Sequence, residues 1–192
     1  AFALGLSDGR VLPAEISVNY TFTGGVREVE PNLMFADPIS VDPASGPVNL
    51  LAHVVTPTGP ITAAVLGPKE VTLIAIQERK ALIGESTRQE TRHSIPLAIE
   101  GEITAVVLDG RGEDMYVGTS AGRILRVDLR DPTSPRVVGN VVATSRAGAG
   151  ITVLGFLLGD RTIVAGDTAG RVSTWQPIQR GGPAGCRRRQ RC

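Results

Sequence analysis

The chain has 192 residues and is close to electrically neutral, with 20 Lys plus Arg against 19 Asp plus Glu. Its overall charge therefore does not favour nucleic acid, an acidic substrate or a membrane surface as a partner. Hydrophobic residues make up 42% of the sequence, which is enough apolar material to bury a core and argues against disorder. The 23 glycines and 13 prolines interrupt the chain too often for long helices, so we predict an all-β fold.

Neither a membrane span nor a signal peptide is expected within the sequence. The most apolar runs, 103–108 and 151–158, are far shorter than the roughly 20 residues that a membrane-spanning helix needs. The first residues lack a charged segment and reach the polar turn at 7–9 at once. Both cysteines, Cys186 and Cys192, lie in the last seven residues, so the rest of the chain gives no evidence on redox compartment.

Taken in chain order, the first elements are a turn at 5–11 and a long strand that runs to Phe22. They belong to a first unit within residues 1–55, which has no opening strand ahead of its turn. A second unit is predicted at 61–99, with an opening strand at 61–66. Its hairpin at 77–80 contains no glycine, its segment 85–92 is predicted to be a solvated loop, and its outer strand lies near 95–99.

The third unit is the clearest, with strands predicted at 103–108, 114–119, 123–129 and 136–143. Apolar and polar residues largely alternate in 123–129, which is typical of a strand with one solvated face. The run 114–119 is more apolar and indicates a buried strand. The unit is therefore a meander of four short strands.

The same unit recurs further along the chain. Residues 118–124 match 166–172 without a gap, 48 residues later, and Ile103-Thr104 matches Ile151-Thr152 at the same spacing. The last unit begins at residue 151 and is predicted to stop after Trp175, without a fourth strand. The glycines predicted to form the structural repeat turns are Gly5, Gly9, Gly118, Gly122, Gly166 and Gly170.

A four-stranded meander that repeats every 40 to 50 residues or so is the sequence pattern of a β-propeller blade. A β-sandwich of glycine-rich hairpins is the alternative, and the gap-free repeat weighs against it. We assign residues 1–178 to a propeller-like domain of about four units, whose incomplete ends favour an open arc over a closed ring. Residues 179–192, which include Arg187 to Arg189 and Arg191, are predicted to be a flexible basic tail or an expression scar; binding of nucleic acid or an anionic surface is the alternative.

Two family resemblances follow from these residues. Gly5 to Val11 and the run Ala-Gly-Arg-Val-Ser-Thr-Trp ending at Trp175 resemble the hairpin that leads into the third strand of WD40 repeats. No unit has the Gly-His pair or a Trp-Asp dipeptide, and Val127-Asp128 stands where Trp175 stands one repeat later. Those departures put the polar network of a WD40 blade in question.

The narrower resemblance covers most of residues 3–178. Residues 4–12, the strand to Phe22 and the run 27–35 resemble the extracytoplasmic propeller insert of certain bacterial phosphate ABC-transporter permeases. This resemblance implies a non-enzymatic accessory domain at the periplasmic face of the inner membrane, with the other subunits of an import complex as partners. It implies no cofactor and no membrane contact by this segment itself.

Candidate chemistry in the sequence is sparse. The Gly-x-Gly at 148–150 lacks the third glycine of a dinucleotide fingerprint, and His53 and His93 are forty residues apart. We therefore predict no catalytic, cofactor-binding or metal-binding residues. The aspartates near turns are predicted to bond their own backbone, and they are Asp8, Asp109, Asp128, Asp160 and Asp167.

The sequence is compatible with two functions from different classes. The first is an interaction domain, and the alternative is a small-ligand-binding or enzymatic propeller that uses carboxylates at the central mouth. The apolar run 151–158 argues against the alternative, because an enzyme needs polar residues where the inner strands converge. The incomplete end units also predict a homodimer in which the faces around 4–12 and 163–175 meet.

Overall fold

A computed structural model describes residues 1–42, 46–79, 87–157, 159–178 and 185–189. Within those residues the regular structure consists of sixteen β-strands in four antiparallel sheets of four strands each, which confirms the all-β prediction. Consecutive strands pair throughout the second, third and fourth sheets, so each of these three is a meander, whereas the last strand of the first sheet pairs with its second strand.

The first sheet contains β1 (Phe2–Gly5), β2 (Arg10–Thr23), β3 (Val26–Phe35) and β4 (Ile39–Ser40). β1 pairs with one edge of β2, whereas β3 and β4 pair with its other edge. The second sheet contains β5 (Leu50–Thr56), β6 (Gly59–Val65), β7 (Glu70–Arg79) and β8 (Thr87–Pro96).

The third sheet contains β9 (Ile103–Leu108), β10 (Asp114–Thr119), β11 (Arg123–Asp128) and β12 (Arg136–Val142). The fourth contains β13 (Ile151–Phe156), β14 (Ile163–Asp167), β15 (Val172–Ile178) and β16 (Gly185–Arg189). The sheets stand side by side in chain order, because β1 contacts β5, β5 contacts β9 and β9 contacts β13.

The core lies between the sheets and follows from the two-residue period of a strand. On β10, Met115 and Val117 point toward the second sheet and join a cluster that contains Leu73. Tyr116, between them, points toward the fourth sheet and packs with Ile163. All three side chains of β10 are at most 2% exposed, so this strand is covered on both faces.

The boundaries predicted for the third unit agree with β9 to β12 to within one residue. The second unit differs, because its sheet begins with β5 and not at residue 61. The Ile-Thr-Ala similarity to residues 103–105 therefore falls on the second strand of its sheet. The segment 85–92 is also not a solvated loop throughout, since β8 begins at Thr87 and pairs along β7. The residues of this outer strand are mostly polar, so they lack the apolar pattern from which a strand is predicted.

The last unit also differs from its prediction. The sequence pattern stops after Trp175, but β16 pairs with β15 and supplies a fourth strand from within the predicted basic tail. Backbone pairing needs no apolar side chains, so the arginine run gives no strand signal. Residues 185–189 of the predicted tail therefore form a strand. Lys80 and residues 179–184 and 190–192 lie outside the described residues.

We predict that Leu125→Ala lowers the free energy of unfolding by about 2–5 kcal/mol, because a cavity opens between the second and third sheets. Equilibrium urea denaturation measures the change. The matched control is Val142→Ala on the adjacent strand, which is 60% exposed and should change stability by about 0.5 kcal/mol or less. Equal losses of unfolding free energy for the two variants would contradict a core that covers both faces of the third sheet.

Candidate interaction surface

The turns around Gly9, Gly122 and Gly170 share one backbone geometry. Their φ angles are 78°, 74° and 74°, in the left-handed region that favours glycine. In each, the glycine N–H donates to the carbonyl three residues earlier, at N–O distances of 3.3, 3.0 and 3.0 Å. This is a type I turn closed by a left-handed residue, the common three-residue hairpin connection.

The surroundings of these turns differ between sheets. A Cβ on Gly9 would lie 2.7 Å from the carbonyl oxygen of Asp42, and one on Gly122 would overlap the carbonyl oxygen of Ala149. Both turns therefore pack against the loop that follows the outer strand of their own sheet. Around Gly170 nothing lies within 4 Å of such a Cβ.

The other three repeat glycines, Gly5, Gly118 and Gly166, lie on strands that precede the turns. A Cβ on Gly5 would lie 2.9 Å from Val48, just before β5, and one on Gly118 would lie 2.5 Å from Ile151 on β13. These two glycines let the next sheet approach closely. Gly166 faces Val153 of its own sheet instead, at 2.8 Å. The structure thus gives the six positions three different local roles.

Four of the five turn aspartates bond their own backbone, as the sequence predicts. The carboxylates of Asp8, Asp128 and Asp167 each accept a bond from the N–H two residues on, at 3.2, 3.1 and 2.9 Å. Asp109 accepts from the N–H groups of residues 113 and 114. Asp160 differs, since it accepts from Gly110 N–H at 3.0 Å and joins the fourth sheet to the third.

Asp128 and Asp109 have pKa values that are shifted in opposite directions. The Arg130 side chain bonds both oxygens of Asp128 and lowers the pKa of that carboxyl to about 2. Burial raises the pKa of Asp109, although the two hydrogen bonds that it accepts from backbone N–H groups act to lower it. On the neighbouring strands, Arg126 donates to both oxygens of Asp114 at 2.8 Å. Arg130 thus lies beside a carboxylate that also accepts a hydrogen bond from the backbone.

The inner strands carry few polar groups. Their sequences contain no carboxylate, and the one ionisable side chain among β5, β9 and β13 is His53. His53 bonds the Thr62 hydroxyl at 2.9 Å, and burial lowers its pKa, so the ring is neutral at pH 7. His93, predicted to lie in a loop, is on β8. In the described part of the chain, no group of three His, Cys, Asp or Glu residues could hold a metal.

A cleft of about 360 Å³ separates the third and fourth sheets at the turn end. Hydroxyl groups of Thr104, Ser120 and Thr168 line it, together with the glycines 148 and 150, and none of its lining residues is acidic. Thr168 accepts a hydrogen bond from Gly150 N–H at 3.1 Å, so this hydroxyl joins the turn to the preceding loop. The cleft therefore lacks the carboxylates that the catalytic alternative needs.

Among the described residues, many of the exposed large apolar side chains lie on β2 and β3. We call residues 15–35, the outer parts of β2 and β3 with their Gly24-Gly25 turn, the β-ribbon. All of β3 is exposed, and so is 15–23 apart from a half-buried Ser17. The alternation of apolar residues along β2 could have predicted an apolar face on this strand. These residues are Ile16, Val18, Tyr20 and Phe22.

The described residues contain no helix long and apolar enough to span a membrane.

Comparison with solved structures gives the fold. The Cps50 (Swd1) β-propeller domain of Myceliophteria thermophila superposes with a TM-score of 0.58 at 15% identity, over 97% of this chain and 53% of that one. The fold is WD40-like. Sqt1 of Chaetomium thermophilum, bound to the N-terminus of ribosomal protein L10, gives a TM-score of 0.55 at 18% identity over 91% and 42% of the two chains.

A third propeller match is the N-terminal domain of Chaetomium thermophilum Nup170, in complex with Nup53. It has a TM-score of 0.50 at 13% identity, over 95% of this chain and 26% of that one. The chain thus spans about half or less of each matched structure, and these identities carry the fold alone. No protein-family model and no curated protein matches the sequence.

The WD40-like hairpin of the fourth sheet contains one buried aromatic residue, Trp175. Trp175 is 4% exposed and packs in the cluster between the third and fourth sheets. Its indole N–H donates to the Ser173 hydroxyl at 2.9 Å, on the same strand. One repeat earlier Val127 takes the equivalent place and is fully buried in the preceding cluster. Apolar packing thus replaces the indole in the third sheet.

We predict that Gly122→Val destabilises the protein more than Gly170→Val does. Both substitutions place a β-branched residue at a positive φ, which costs about 1 kcal/mol or more. At Gly122 the new side chain also meets the Ala149 carbonyl, so its cost is larger. Urea midpoints of the two variants measure the difference. An unchanged midpoint at both sites would contradict the turn geometry.

Asp128 should make stability depend on pH in the acid range. Its pKa is about 2 in the folded protein and about 3.9 in an unfolded chain, so its contribution is complete above about pH 4 and is lost as the pH falls toward 2. Asp128→Asn and Arg130→Gln should each reduce this slope. Denaturation midpoints between pH 2 and 5 measure it, and Arg111→Gln, on an exposed loop position, is the control.

Proposed function

We propose that this chain is a non-enzymatic interaction domain. The observation that carries the proposal is the position of its ionisable groups: the inner strands have no carboxylate, and the predicted candidate aspartates bond backbone N–H groups. A carboxylate committed to a turn is not free to serve as a general acid or base. The alternative of a ligand-binding or enzymatic propeller therefore finds no acidic group on the inner strands β5, β9 and β13.

The partner class follows from the resemblance of residues 3–178 to the propeller insert of phosphate ABC-transporter permeases. In this proposal the domain lies on the periplasmic face of the bacterial inner membrane and contacts other subunits of the importer. The propellers bound to the ribosomal L10 N-terminus and to Nup53 show that this fold can present a surface to another protein. Support for the transport setting comes from the sequence resemblance alone.

The proposal predicts binding to protein and not to phosphate. The 192-residue chain is titrated, by calorimetry, with inorganic phosphate and separately with the purified phosphate-binding protein of a phosphate importer. We expect no heat with phosphate, because the inner strands present no cation, and saturable binding to the protein. Saturable phosphate binding would contradict the interaction role, and failure to bind the importer's protein would contradict the transport setting.

A pair of variants separates the interaction role from the carboxylate alternative. Asp167→Ala removes two hydrogen bonds to backbone N–H groups and should lower stability by about 1–3 kcal/mol, without changing binding. Asp37→Ala, at an exposed position between β3 and β4, should change neither and is the control. If Asp167→Ala instead abolished binding of a ligand at unchanged stability, the carboxylate alternative would be correct.

A further inference from the structure

The first sheet is covered on one face only. Val11 on β2 and Ala3 on β1 pack into a cluster with Ile74 of the second sheet. Their neighbours point the other way: Leu4, which pairs with Leu12, is 43% exposed. On that second face Ala14 is buried between Phe2 and Phe35, but Leu4 and Leu12 join none of the core clusters of the described residues, and the face continues onto the β-ribbon.

The β-ribbon has two chemically different faces. The strand register places Ile16 opposite Leu33, and Tyr20 opposite Val29, on the same side as the uncovered face of the sheet. The opposite side carries all three glutamates of the β-ribbon, which are Glu15, Glu28 and Glu30. The one charge on the apolar side is Arg27, whose guanidinium stacks on the Tyr20 ring at 3.9 Å.

The area of the apolar face is larger than a monomer usually exposes. Its exposed large side chains are Leu4, Ile16, Val18, Tyr20, Phe22, Val29, Leu33 and Phe35. With roughly 170 Å² for a whole residue of this size, their exposed fractions amount to about 700 Å². The largest patch on a typical monomer is about 300–600 Å². A standard protein interface buries about 800 Å² on each partner, which is close to this face.

The length of the β-ribbon indicates what covers it. β2 has 14 residues, whereas the longest strands of the other sheets, β7 and β8, have 10 and the strands of the third sheet have 6 or 7. A neighbouring sheet of ordinary length would cover the base of this face and leave the rest in water. A two-stranded ribbon is at best marginally stable without a covering layer. A second copy of the chain supplies an apolar ribbon of the same length and the same composition.

We propose that two copies of this chain dimerise through the β-ribbon and the free face of the first sheet, apolar face against apolar face. A two-fold axis makes such a contact self-complementary, with the tip of one ribbon against the base of the other. The glutamates remain in water on the outer sides, and the tip-to-base arrangement places the two Arg27 side chains at opposite ends of the contact. This contact is independent of the importer partner proposed above, and it differs from the dimer predicted from the sequence because it leaves out the last sheet.

The test is sedimentation equilibrium of the full 192-residue chain over a wide concentration range, with both cysteines reduced. We expect a dimer with a dissociation constant in the micromolar range or tighter. The double variant Tyr20→Lys and Val29→Lys places cations on the apolar face and should weaken dimerisation about tenfold or more. Ser17→Lys with Asn32→Lys, a cross-strand pair on the opposite face, adds the same charge and should change the constant by about twofold or less.

Three further measurements keep the outcome decisive. Fluorescence of Trp175, the only tryptophan and buried in the fourth sheet, reports whether each variant is folded. Amide exchange in the β-ribbon should slow as concentration rises. Val172→Lys, on the last sheet at a position 73% exposed, should leave dimerisation unchanged. The proposal is overturned by a monomer at every concentration, by equal effects of the two ribbon variants, or by dissociation through Val172→Lys.

Discussion

The third sheet of this protein has two apolar faces, and the need to cover both with neighbouring sheets determines much of the rest of the structure. A strand such as β10 sends Met115 and Val117 to one neighbour and Tyr116 to the other, so a sheet of this kind cannot be stable in isolation. Close packing of neighbours follows, and it requires small residues at the contact. Gly118 lies against Ile151 for this reason, as Gly5 lies against Val48.

The same constraint explains why the inner strands carry few polar groups. The inner strands contact one another across the sheets and are therefore apolar, whereas aspartates at the strand ends satisfy the N–H groups that tight turns leave without partners. A surface built in this way offers shape and exposed apolar area to a partner. The β-ribbon is the part of the molecule where that area is largest.

The fold was predictable where sequence and structure repeat together. The alternation in 123–129 and the gap-free match of 118–124 to 166–172 place β10, β11, β14 and the turns between them correctly. The outer strands were harder, because β8 and β16 pair through backbone groups and their residues are polar. Assigning residue 61 to an opening strand failed because short apolar strands resemble one another whichever place they take in a sheet. The amphipathic character of the β-ribbon was visible in 16–22, but its exposure depends on what packs beside it, which periodicity does not reveal.

The side-by-side arrangement also makes the molecule nearly one-dimensional. Its main inter-sheet contacts join consecutive sheets, so the free energy of folding is close to a sum of terms for single sheets and for the interfaces between them. A sheet with one described neighbour, such as the first, shares one interface and opens at a lower free energy than the third, which shares two. A disturbance at one sheet therefore weakens with each interface that it crosses.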